Sequence, residues 1–434
     1  RPMNTRLDKT LPSRFVLAVT VGGVMGLGIL RGPGEIAKII PEPTLYLLFW
    51  FFGGIFVLLS TTVTAELFGM TARSGGTYAL VRRAYGGYSG FVIGWVDWLS
   101  FTADLALKAV VIIEFASILL PELKAWSTLL AISVTSGFAL IQLRGVTLGA
   151  KIQELATTII SLVIVCMTLI LFFIEPSTSK SSEIPITDNQ MSGWSLAIAT
   201  IIFTYDGWLY GCYFGEEIKG QPSAAARASI KGIVIVISLY MLLNLALVMG
   251  PGLTVISGSN LAIATAFEFA HLPLAETLVI IAAILILLGH QNLEYMSGAR
   301  ILYALARDGL ASKKVKEVGE NGNPVYAILA TWVVAIGLIF VGGFEFLLLL
   351  SVFFYVPIYL ALIIGVIILR KREPNAERPY RAWGHPYSTG LCFFGWLIIT
   401  VFQAYIERET AIYAAIMIAI SWPIYRYLTR QVHL

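Results

Sequence analysis

Val21-Gly22-Gly23-Val24-Met25-Gly26-Leu27-Gly28-Ile29-Leu30-Arg31-Gly32-Pro33-Gly34 reads as a membrane helix interrupted by its own glycines. The run around it, 14–40, is apolar and long enough to cross roughly 30 Å of hydrocarbon. Each glycine inside a helix costs about 1 kcal/mol. Irregular backbone at membrane depth survives only where protein buries it or where it lines a cavity. A break near 26–32 is therefore expected. Close helix packing is the simpler alternative, since Gly22 with Gly26 and Gly28 with Gly32 have small-xxx-small spacing. A second irregular stretch, Phe203-Thr204-Tyr205-Asp206-Gly207-Trp208, predicts a break near 204–208.

Outward from these two stretches the whole chain is apolar. Of its 434 residues, 57% are hydrophobic and 13% charged, about half the charge usual in soluble domains. Twelve spans are expected, at 14–40, 44–70, 88–119, 126–143, 151–174, 192–215, 230–250, 275–303, 325–341, 345–369, 388–406 and 410–428. Short alternating strands of an outer-membrane barrel are not seen, so the fold class is all-α and integral to a membrane. With the N-terminus placed inside, Lys38, Lys124, Lys180 and Arg408 are the basic residues of the outer loops. Arg31 and Lys108 lie in spans, and the rest of the 30 Lys and Arg fall on inner segments. That asymmetry puts both termini in the cytoplasm, with no cleaved signal peptide expected. The +4 net charge is accounted for in the same way, so no nucleic-acid partner is implied. Cys166, Cys212 and Cys392 have neither metal-ligand nor disulfide-framework spacing.

Breaks in the first and sixth spans are five spans apart, the offset of two inverted five-helix repeats with a binding site at their interface. The repeats would cover 14–174 and 192–369, with two peripheral helices over 388–428. No His-x-x-x-His, paired cysteines or nucleophile motif points to an enzyme.

Five motifs in order carry a family resemblance. Val21 to Leu30 resembles V-G-x-I-I-G-S-G-I-F, followed by Pro33-Gly34. Ala65-Glu66-Leu67 precedes Ser74-Gly75-Gly76-Thr77-Tyr78. Phe203-x-Tyr205-Asp206-Gly207-Trp208 precedes Glu216-Glu217-Ile218-Lys219. Arg300-x-x-Tyr303-Ala304-x-Ala306-Arg307-Asp308-Gly309 and Arg378-Pro379-Tyr380-Arg381 complete the set. Together they resemble the amino acid–polyamine–organocation superfamily, in particular its L-type amino acid transporter-like members.

The resemblance implies the LeuT-type 5+5 fold and a secondary transporter of neutral and possibly cationic amino acids in the cell membrane. An exchanger or facilitator is the first expectation, and proton-coupled uptake of amino acids or polyamines the alternative. It also implies how the substrate is held. Backbone N–H groups of Gly26, Leu27 and Gly28 would meet its carboxylate at a half-helix N-terminus. Carbonyls near Gly22 and Val24, and around Phe203, Thr204, Tyr205, Asp206 and Gly207, would meet its ammonium. Phe203 would be the lid. No cofactor or metal is implied. Light subunits of heteromeric relatives bond a heavy subunit through a cysteine between spans three and four; here 120–126 has none, so a disulfide-linked partner is not expected. Leu27 stands where serine is common, and Ile160 where many members carry a lysine in place of sodium.

Ionisable residues in spans default to function. Asp104 with Lys108, and His290 with Glu294, have i,i+4 spacing, so each pair either neutralises itself or couples transport to a proton. Asp206 either recognises a cationic substrate or stabilises the break. Glu66 reads as a structural acceptor. Arg31 pairs with Glu35 or closes the outer vestibule.

Overall fold

The computed structural model describes residues 11–12, 14–71, 73, 75–176, 190–219, 222–319, 323–341 and 343–432. Ser74 of the second motif, and the core of the long polar loop at 177–189 with Lys180, lie outside the described residues, as do Arg1, Arg6 and Lys9.

Helices account for the architecture, and the only β pairing among the described residues is isolated bridges. The first apolar run is two helices, α1 (Arg14–Val24) and α2 (Leu27–Ile39). The first half continues with α3 (Pro43–Met70), α4 (Gly76–Tyr85), α5 (Gly87–Leu119), α6 (Ser127–Leu143) and α7 (Val146–Leu171). The second half begins with α8 (Gln190–Tyr205), α9 (Pro222–Met249), α10 (Leu253–Ile256) and α11 (Ala262–Phe269). It continues with α12 (Pro273–Arg307), α13 (Val325–Val341) and α14 (Phe344–Arg372). The chain ends with α15 (Tyr387–Ile406), α16 (Arg408–Ala419) and α17 (Ser421–Val432).

Among the described residues, nine helical stretches are long and apolar enough to cross a membrane, and two shorter ones, Met191–Tyr205 and Val325–Val341, are apolar as well. The chain is a multi-pass membrane protein. α5 is 33 residues long but carries Asp97, Asp104, Lys108 and Glu114, which is why it stands apart from the nine. It sits at the centre instead, packed along α12 and α14, with almost its whole length from Phe91 to Phe115 buried.

Several expectations are corrected. The first break is confined to Met25 and Gly26, and Gly32, Pro33 and Gly34 lie inside α2. Pro33 falls in the second turn of α2, past the first turn where proline is free of cost, so the helix there lacks the bond to the Ile29 carbonyl. The second break is Asp206 to Leu209, so Phe203, Thr204 and Tyr205 stay helical. Spans seven and eight are longer than hydropathy suggested, since α9 begins at Pro222 and α12 runs on to Arg307. Their ends are polar turns that continue the helix beyond the apolar stretch. The last span is two helices meeting at Ile420. Short helices α4, α10 and α11 fill loops where no span was expected.

Candidate functional site between the two helix breaks

The breaks lie against one another because glycine lets them. A Cβ on Gly28 would come 2.4 Å from Thr204 Cα, and one on Gly207 would come 2.7 Å from the Gly23 carbonyl. Gly207 also has φ +107°, where a side chain is strained. A Cβ on Gly26 would enter the His290 ring at 2.6 Å, and one on Gly22 would meet Thr157 Oγ1 at 2.1 Å. The close-packing reading of the glycines and the broken-helix reading therefore both hold, at the same residues.

Carbonyls freed by the breaks are partly taken. The Tyr240 hydroxyl donates to Val24 O at 2.7 Å and lies 3.3 Å from Thr204 O. His290 Nε2 sits 3.1 Å from Met25 O, and Phe203 O accepts from the Asp206 amide at 3.3 Å. At the other side of the break, the first amides of α2, from Leu27 on, start a helix whose N-cap, Gly26, supplies no side-chain acceptor. They are open donors at a positive helix end. Leu27 brings no side-chain hydroxyl to this end, so the backbone alone supplies its donors.

Between the breaks is a small space of about 10 Å³, lined by Gly23, Val24, Gly26, Leu27, Gly28, Asp104, Lys108, Phe203, Asp206, Tyr210, His290 and Tyr355. That is room for about one water. Beside it, on the face where α2 ends and α14 begins, opens a vestibule of about 290 Å³. Leu27, Gly28 and Phe203 line both, so Phe203 stands on the boundary. Arg31 lines the vestibule beside Glu35, one of the two expectations for it. It bonds Glu114 at 3.2 Å, lies 3.5 Å from Glu35, and stacks 3.6 Å over the Phe344 ring.

The buried charges form one cluster rather than two pairs. Lys108 donates to Glu294 on α12, a shorter bond than its 3.4 Å approach to Asp104. His290 Nδ1 is 3.9 Å from Glu294, too far for a hydrogen bond. The expected mutual satisfaction of His290 and Glu294 is thus corrected: each is held by another element. Four buried carboxylates accept from four tyrosines: Asp97 from Tyr213, Asp104 from Tyr355, Asp206 from Tyr359 and Glu294 from Tyr210. These tyrosines come from α14 and from the 3₁₀ turn Tyr210–Tyr213 after the second break. Asp206 therefore faces the small space while its Oδ1 is already held. The tyrosines were missed from sequence, although their i,i+4 and i,i+3 spacing within an apolar helix and turn was a signal. Thr157 was missed too: its hydroxyl donates to Ala18 O at 3.0 Å. Ile160, one turn further, lines an apolar groove with Ala156 and Gly289.

Towards the opposite face the chain is tied by ion pairs. Arg300 forks onto Glu217 at 2.5 and 2.7 Å and Arg307 bonds Glu216. Glu66 accepts from Arg370, Arg378 and the Ala382 amide, the structural role expected of it. Outside the spans, Glu373 is held below the usual carboxylate range by its bond from Arg83. Among the described residues no group of three or more His, Cys, Asp and Glu side chains is placed to hold a metal ion.

A family model described as amino acid permease matches residues 15–422. The chain belongs to that family. Among curated relatives, the permease is 25% identical to the serine/threonine exchanger SteT of Bacillus subtilis over 90% of each chain. It is 25% identical to the human b(0,+)-type amino acid transporter 1, covering 88% of this chain and 80% of that one. The mouse large neutral amino acids transporter small subunit 2 is 24% identical, with 86% and 73% covered.

Proposed function

We propose that this permease is a transporter, not an enzyme, that exchanges amino acids across the cytoplasmic membrane by alternating access. In this reading the chain crosses the membrane twelve times as two inverted repeats, 14–174 and 192–369, plus helices over 388–428, with both termini cytoplasmic. The vestibule above Phe203 is then the outer mouth. Supporting it most is the small space between two abutting breaks, where open α2 amides and break carbonyls lie within one wall. Amides and carbonyls match what all amino acids share, a carboxylate and an ammonium. The relatives' names, exchanger and amino acid transporter, agree. Because the space holds only about one water, substrate enters only when Phe203 and the half-helices move.

Asp206 adds a carboxylate to the side of the space, so cationic as well as neutral amino acids are proposed substrates. Proton coupling is favoured by one observation. His290 Nδ1 and Glu294 Oε2 are buried without a hydrogen-bond partner among the described residues. We propose that the chain works alone, although one relative is named a small subunit, because 120–126 offers no cysteine for a bridge.

One experiment addresses the whole reading. Purified chain in liposomes should take up labelled amino acid faster when unlabelled amino acid is inside, with no second subunit. Uptake that needs a proton gradient and ignores internal substrate would favour the symporter reading. Inertness towards a panel of neutral and cationic amino acids would reject both.

A further inference from the structure

Two carboxylates on different helices converge on a single ammonium. Lys108 Nζ bonds Glu294 Oε1 and lies 3.4 Å from Asp104 Oδ2. The three side chains are buried at 5%, 0% and 5% exposure. The other groups facing them are almost all neutral. Glu294 Oε1 also accepts from Tyr210 at 2.8 Å, and Asp104 from Ser351 at 2.8 Å and Tyr355 at 2.5 Å. His290, 3.9 Å from Glu294, is engaged through Nε2 with Met25 O. Asp206, across the small space, is a further acid held by Tyr359. Among the described residues no other Lys or Arg forms an ion pair with Asp104 or Glu294. Carboxylate and hydroxyl oxygens therefore surround one positive charge, the donor set that suits a hard cation.

We propose that Asp104 and Glu294 form a monovalent-cation site which the chain fills with the ammonium of its own Lys108. The lysine is a resident ion: it neutralises the meeting of α5 and α12 without drawing on the ions of either compartment. Remove it, and two buried carboxylates face each other across an emptied volume, the uncompensated arrangement that buried pairs are built to avoid. A free cation small enough to enter should then bind there, and binding to the folded state alone raises stability by mass action.

Lys108→Ala deletes Cγ, Cδ, Cε and Nζ, which together have the shape of propylammonium. Melting temperature of purified protein should be measured in choline, sodium, potassium and propylammonium chlorides at equal ionic strength. The parent should melt alike in all four. Lys108→Ala should melt several degrees lower in choline and recover, saturably, in sodium, potassium or propylammonium. Lys108→Ala/Glu294→Gln, with one carboxylate neutralised, should lose most of that ion response. No ion-specific rise in the single variant overturns the site. So does a variant that melts like the parent in choline, or one that cannot be folded even with these ions present throughout. Melting is read without transport, so the result stands apart from the proposed function.

Discussion

Phe203 lines the vestibule and the small space at once, its ring stacked 6.5 Å from that of Tyr355. An aromatic at that boundary excludes water from the polar groups below, and alanine cannot. Phe203→Ala should therefore slow exchange at least about tenfold, equivalent to roughly 1.4 kcal/mol in a barrier, while the protein still purifies as a folded species. Transport at the parent rate would remove Phe203 from the mechanism. Asp206 poses a different question, because its Oδ1 is already held by Tyr359. A carboxylate that keeps its charge attracts a second cation on the substrate in a site of low dielectric. Asp206→Asn should weaken lysine and arginine uptake more than alanine and leucine uptake in competition assays. If it serves only to hold Tyr359 and the break, all four substrates should lose equally.

At the scale of elements, glycine and one buried ion pair set how helices meet. Gly28 has Thr204 Cα where its Cβ would be, whereas a Cβ on Gly137 of α6 meets nothing within 4 Å. Gly28→Ala forces α2 and α8 apart at about 1–3 kcal/mol, the cost of overpacking a tight contact. It should lower the melting temperature and abolish transport, and Gly137→Ala should leave both near the parent. Arg300 of α12 holds Glu217 in a two-bond fork, with its guanidinium 4.7 Å from the Phe214 ring. Glu217 in turn gives its carbonyl to the Leu11 amide at 2.9 Å. This one pair ties the segment after the second break to α12 and to the chain before α1. Arg300→Met should cost about 3–5 kcal/mol, because it leaves a buried carboxylate alone. Arg300→Met/Glu217→Gln should recover part of that loss in a double-mutant cycle read by thermal unfolding.

Over the whole molecule, the proposed orientation makes its own prediction. Single cysteines at 312–319 should react with an impermeant thiol reagent only from the cytoplasmic side, and those at 121–126 only from outside. Labelling of both from one side would break the inverted-repeat reading. Where the helices run was largely legible without a structure, because lipid demands continuous apolar length and internally satisfied backbone. Any chain that crosses many times must write both into its residues. The two breaks were legible for the same reason: glycine beside Met25, and at Gly207, cannot be disguised in an apolar helix. Their limits were not, since whether Thr204 or Gly32 stays helical depends on what lies against it. What meets across the bundle was less legible still. Sequence spacing offered Lys108 its neighbour Asp104 and offered His290 its neighbour Glu294; the first pair is kept but shared with Glu294 of another helix, and the second gives way to partners on other elements. Local geometry supplies a possible partner one turn away, but a dry interior rewards whichever arrangement satisfies every buried polar group. That choice is made among α1, α5, α8, α12 and α14 together. The amino-acid order alone determined a multi-span helical membrane protein with two interrupted helices. Tertiary packing decided that the interruptions touch, that the lysine beside Asp104 also answers an acid on another helix, and that tyrosines close the rest, because each of those contacts joins residues about 80 to 250 positions apart in the chain.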